Sequence, residues 1–152
     1  MRLLAAALAI GLVAVPAGAV AQDVAAGLTV FNKCRVCHSV GPGAKNKVGP
    51  VLNGIVGRPA GTFEAYRYSP AMLASGLTWD EATLRAYLAA PKAVVPMGKM
   101  AFVGLKVEAD ITNVIAYLSQ FQPDGSPTDP ANPPPLPPGA PAPAAAAAPA
   151  TP

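Results

Sequence analysis

Cys34-Arg35-Val36-Cys37-His38 places two thiols three positions apart with an imidazole directly after the second. This run reads as a c-type haem attachment site. The chemistry dictates the spacing: two cysteines must reach the two vinyl groups of one porphyrin, and residues three apart share a face of a helix. His38 lies one helical turn from Cys34, so its ring points at the iron from the same side. A bare Cys-x-x-Cys also suits a thioredoxin-like redox pair, half of a zinc site or a structural disulfide. A zinc site needs about four ligands, whereas the chain holds two cysteines and one histidine in all. A catalytic dithiol belongs at the end of a strand that opens a helix, and no alternating run precedes Cys34. The histidine after the second thiol decides for haem.

Both ends of the chain differ from its middle. Arg2, an apolar run over residues 3–15 and Ala19-Val20-Ala21 have the form of a secretory signal. The run is shorter than the ~20 residues a membrane span needs. Residues 1–21 are therefore expected to be removed after Ala21, with an uncleaved anchor as the alternative. Export agrees with the motif, because thioether attachment takes place outside the bacterial inner membrane, where free thiols otherwise oxidise. The expected address is the periplasm, with no stable membrane insertion after cleavage. Residues 122–152 are dominated by Pro and Ala, densest at Pro133-Pro134-Pro135-Leu136-Pro137-Pro138. Such a segment offers little bulk to bury, so a disordered polyproline-rich tail is expected. A spacer or solubilising role is the plainer reading, and a proline-rich ligand for a partner's groove the other.

Residues 22–121 remain as one domain, large enough for a single small core. They carry ten Lys or Arg and six Asp or Glu, a formal +4 with no basic run of the kind nucleic acid attracts. A first helix is expected over residues 27 to about 40 with the haem motif at its end, Val24, Leu28 and Phe31 on one side. Ser69-Pro70 looks like a cap and first helical residue, and Gly76 can close that short helix. Thr78-Trp79-Asp80-Glu81 has the form of a capping box opening a helix through residue 90. The last helix, residues 107–120, carries Val107, Ile111, Val114, Ile115 and Leu118 as an apolar stripe whose natural partner is the first helix. No segment makes a convincing strand. The expected fold is all-α, a few helices wrapped round one haem.

Iron held by His38 alone leaves a position open for gas or peroxide chemistry, whereas a second protein ligand makes an electron carrier. With no second histidine, the candidates are Met72, Met97 and Met100. Met72 falls inside a short helix, where packing is the better reading. Met97 and Met100 lie in a loop beside Pro96 and Gly98, and the pattern does not separate them.

Several runs resemble the class I c-type cytochromes, the family of mitochondrial cytochrome c and its small periplasmic bacterial counterparts. They are Phe31-Asn32-Lys33-Cys34 with Cys37-His38, Gly49-Pro50 with Leu52, Gly57-Arg58, Gly76-Leu77-Thr78-Trp79, Tyr87-Leu88, Lys99-Met100 with Phe102 and Gly104, and Ile115-Ala116-Tyr117-Leu118. They occur in the family's order and span the core, with the signal and the tail outside. The resemblance implies haem c bound through Cys34 and Cys37, with iron held by His38 and Met100. It implies that the carbonyl of Pro50 orients His38, that Arg58, Tyr68 and Trp79 lie near a buried propionate, that Tyr87 approaches the Met100 sulfur, and that Phe102 covers the haem near its exposed edge. Gly27, Phe31 and Tyr117 would join the terminal helices. Two positions depart from the pattern: Gly98 stands where a hydroxyl residue is frequent, and Met72 where an amide is. Both bear on the reduction potential rather than on the carrier reading. Lys33, Lys45, Lys47, Lys92 and Lys99 are candidate edge charges.

The function implied is a periplasmic one-electron carrier, a monomer and not an enzyme. Its partners would be redox proteins: a quinol-oxidising complex, a terminal oxidase, a photosynthetic centre or a periplasmic dehydrogenase. The rivals are a five-coordinate haem enzyme or gas-binding protein, and a cytochrome module tethered by its tail to one dehydrogenase.

Overall fold

An amphipathic helix of two or three turns is stable only where its apolar face is covered, and here the two ends of the domain cover each other. The computed structural model describes residues 22–140; the expected signal and residues 141–152 lie outside the described residues. The first helix, α1 (Val24–Phe31), opens on Asp23, whose carboxylate accepts from the Ala26 amide. The last, α5 (Glu108–Leu118), carries Glu108 and Asp110 in its first turn, where the helix dipole favours negative charge. α1 packs on α5 through Gly27, where a Cβ would stand 2.6 Å from the Tyr117 Cβ and strike the Asn113 carbonyl. Phe31 and Tyr117, both fully buried, meet with ring centroids 5.4 Å apart.

Three further helices lie between: α2 (Pro70–Leu73), α3 (Glu81–Ala89) and α4 (Pro91–Val94). Ser69 caps α2 with Pro70 in its first turn, and Gly76 follows in the left-handed region at φ 63°. Among the described residues there are no strands, only isolated bridges between Pro59 and Thr78 and between Phe121 and Pro127. Among the described residues no helix is long and apolar enough to cross a membrane.

Several element boundaries correct the sequence reading. The first helix starts earlier and ends at Phe31, because the bonding then tightens: Lys33 N donates to Val30 O and Cys34 N to Phe31 O. The haem motif instead forms its own turn, closed by His38 N donating to Cys34 O at 2.9 Å. That turn supplies the shared face the chemistry needs. The capping box at Thr78 is not used as one. Trp79 exchanges backbone bonds with Gly57 and Arg58, so the helix begins two residues later with Asp80 accepting from Thr83 N at 2.7 Å. That helix ends at Ala89, and Pro91 is the first residue of α4, since a helix start loses nothing by lacking the proline's N–H. Val107 is 56% exposed and drops out of the apolar stripe.

The largest correction concerns the tail. Over residues 122–140 it lies against the domain rather than leaving it. Thr128 N donates to Gln120 O at 2.8 Å and Gly125 N to Gln122 O at 2.9 Å. Gly125, Pro134 and Pro137 are buried, and Leu136 joins the rim of the core.

Candidate haem site

The motif turn, residues 48–58, residues 66–72, α3, residues 99–102 and α5 enclose a largely apolar cavity of about 360 Å³, in the size range of cofactor pockets. Cys34, Cys37, His38, Pro50, Arg58, Tyr68, Trp79, Tyr87, Met100 and Phe102, all singled out in the sequence, line this one cavity. Leu52, Ile55, Leu84, Leu88, Val114 and Leu118 complete its apolar wall.

A backbone carbonyl orients the His38 ring. Its Nδ1 lies 2.7 Å from the Pro50 carbonyl oxygen. A carbonyl only accepts, so Nδ1 carries the proton and Nε2 keeps its lone pair for a metal. Burial above all, and Lys47 to a lesser degree, hold the imidazole pKa below its ordinary value, against the opposing pull of the Pro50 bond. The ring is therefore neutral at pH 7. Lys47 Nζ donates to the carbonyls of Arg35 and His38, at 3.0 and 3.4 Å, satisfying groups the motif turn leaves open.

The two thiols are free. Burial pushes the Cys34 thiol up to about 11, outweighing the neighbouring Lys33. It is thus an S–H group facing an apolar space. Among the described residues no three His, Cys, Asp or Glu side chains are grouped to hold a bare metal ion.

Arg58 shows what the cavity should receive. Its Nη1 and Nη2 donate to the carbonyls of Asn53 and Val51, at 2.9 and 3.1 Å, and it stands over the Phe63 ring at 4.8 Å. Its Nε is buried with no partner. A buried cationic donor left open costs free energy unless an acceptor arrives. Burial also raises the Tyr68 and Tyr87 hydroxyl pKa values, so both phenols are neutral donors here. A flat apolar group with an anionic edge, two carbons for the thiols and a metal for Nε2 fits these residues: a haem.

The methionines separate where the sequence left two equivalent. Met97 is 86% exposed and sits at φ 64°, away from the cavity, whereas Met100 lines it. Met72 lines it as well but is held in α2 within the core. Gly98 is buried against Val95, and its carbonyl accepts from Lys92. Of the candidate edge charges, Lys33 and Lys99 border the cavity. Lys33 pairs with Asp110 at 3.1 Å and Lys99 donates to Arg67 O at 2.8 Å. Lys45 and Lys47 lie behind the motif.

Sequence reasoning missed Tyr66. It lines the cavity, donates to Val48 O at 2.6 Å and meets Tyr68 edge-on at 4.8 Å. Its signal was the spacing of two from Tyr68, which shares a face in extended chain.

Comparison with known proteins agrees with this geometry. The family model described as Cytochrome c matches residues 24–122. The chain is 56% identical over 110 residues to cytochrome c2 of Blastochloris viridis, covering 72% of this chain and 87% of that one. It is 58% identical over 106 residues to cytochrome c2 of Rhodoblastus acidophilus, covering 70% and 99%. Among solved structures, cytochrome c2 from Rhodospirillum centenum superposes with a TM-score of 0.63 at 39% identity, over 67% of this chain and all of that one. Cytochrome cH from Methylobacterium extorquens gives 0.61 at 43%, over 65% and 99%. This chain belongs to the cytochrome c family, electron carriers rather than enzymes, built on an iron-bearing haem c held by covalent bonds.

Proposed function

We propose that this protein is a periplasmic one-electron carrier, with haem c bound through Cys34 and Cys37 and ligated by His38 and Met100. One observation carries the axial pair: Nε2 of His38 is left free by the Pro50 bond, and Met100 borders the same cavity while the other loop methionine, Met97, faces solvent. When bound, haem c supplies the Fe(III)/Fe(II) couple. The residues do the rest. Cys34 and Cys37 tether, Pro50 holds the imidazole plane, and a thioether in place of a harder ligand raises the potential. Arg58, through its open Nε, and Tyr68 and Trp79 beside it offset a buried carboxylate. Tyr87, packed on Trp79 with ring centroids 4.8 Å apart, supports the Met100 side. Phe102 limits water at the cavity mouth.

Partners are redox proteins of the respiratory or photosynthetic kind, met weakly and fast, with Lys33 and Lys99 offering positive charge at the cavity rim. The form of residues 1–21 supports export.

The test is optical. Purified oxidised protein should show the sulfur-to-iron charge-transfer band at the red end of its spectrum, and Met100→Ala should abolish it and turn the iron high-spin. Matching spectra for the two proteins would sink the axial pair. Mass spectrometry of the mature chain tests export: a start at Met1 or Arg2 contradicts cleavage.

A further inference from the structure

We infer that the domain carries a polyproline-binding groove on the side of its haem-attachment turn, and that residues 133–138 of the same chain occupy it. The occupant lies wholly outside the span of the family match, residues 24–122.

The pattern of contacts has a period of three. Pro134 and Pro137 are buried, while Pro133, Pro135 and Pro138 are exposed and Leu136 is half-buried. The two carbonyls that accept side-chain bonds are also three apart. Tyr117 Oη donates to Pro135 O at 3.0 Å, and Arg35 Nη1 donates to Pro138 O at 3.0 Å. A left-handed polyproline helix has three residues per turn and no internal hydrogen bonds. One of its faces therefore presents every third ring, and its carbonyls are free to accept at the same interval. Residues 133–137 have neither helix nor strand pairing, as that conformation requires.

The groove has the make-up such segments select, aromatic walls with hydrogen-bond donors along the edge. Tyr117 and Phe121 meet edge-on with ring centroids 5.2 Å apart. Gly41, at φ 93°, forms the floor: a Cβ there would lie 2.9 Å from Leu136 Cδ2. Beyond Pro138 the groove opens into a cavity of about 410 Å³ between the motif turn and the tail, with Arg35, Lys45 and Lys47 in its wall. Arg35 stands between the two haem cysteines, so the docked tail holds the outer side of the attachment turn.

The occupant is the chain's own tail and not a second copy, because the covalent path is short and continuous. Phe121 bridges Pro127, Thr128 bonds back to Gln120, and Pro135 is reached seven residues on.

NMR of the full-length oxidised holoprotein tests this. Contact between the Leu136 methyls and the Gly41 α-protons should appear as a nuclear Overhauser effect, independent of protein concentration. Removing two buried methylenes at either Pro134 or Pro137 should lower the docking equilibrium constant about tenfold, and the two losses together about a hundredfold. The double variant Pro134→Ala/Pro137→Ala should thus lose the effect, while Pro133→Ala keeps it. The haem spectrum of each variant reports that the domain is intact. The proposal is overturned if the wild type lacks the effect, if the double variant retains it, or if it grows with concentration alongside a dimer, which would make the occupant another copy.

Discussion

Gly49 lies flat against the imidazole of His38, so close that a Cβ on Gly49 would stand 2.7 Å from both ring nitrogens. The ring is thus confined between this backbone and the Pro50 carbonyl. Gly49→Ala should push the imidazole off its bond, because backbone cannot yield as a flexible side chain can. We expect a high-spin fraction in the oxidised spectrum and a lower yield of holoprotein. An unchanged spectrum and yield would show that the ring tolerates displacement.

The crossing of α1 and α5 should be equally intolerant. Gly27→Ala places a methyl group against the Asn113 carbonyl and the Tyr117 Cβ. Overpacking of this kind costs about 1–3 kcal/mol, occasionally more. Denaturant unfolding should show a lower midpoint with an unchanged slope.

Arg58 combines two backbone bonds with one unpartnered buried nitrogen. Arg58→Met removes a positive charge from the cavity wall, which favours the more positive Fe(III) state. The reduction potential should fall, on the order of tens of millivolts. Stability should fall as well, since two buried carbonyls lose their donor at about 1–3 kcal/mol each. A raised potential in a redox titration would contradict the placement of a carboxylate at Nε.

Met97 offers a control on the same loop. It is a non-glycine residue at φ 64° and faces solvent. Met97→Gly should leave the sulfur-to-iron band intact and raise stability by up to about 1 kcal/mol, the strain of a left-handed L-residue. Loss of the band would transfer the ligand role to Met97.

The haem cavity was more legible in the sequence than the frame around it. Cys34, His38 and Met100 line one cavity, and residue types of this kind carry their signal in identity and spacing. Helix ends answer instead to distant partners. Thr78 has the chemistry of a cap, but Trp79 beside it is engaged by the backbone of Gly57 and Arg58, and Asp80 takes over. The tail was misread for a different reason. Composition counts bulk available for burial, and residues 133–138 have little. Yet a proline segment is already near its docked conformation and loses almost no side-chain entropy. One leucine, two buried rings and two carbonyl bonds are therefore enough over residues 133–138.

The pairing of α1 with α5 also sets an order of events during synthesis. The attachment motif leaves the ribosome early, but its neighbour α1 has nothing to pack on until Leu118 has been made. At about 5–20 residues per second, that delay is roughly 4–16 s. Throughout it Cys34 and Cys37 belong to an open chain. The haem-site thiols therefore stay accessible until the last helix exists, and closure of the two chain ends is the late step of folding.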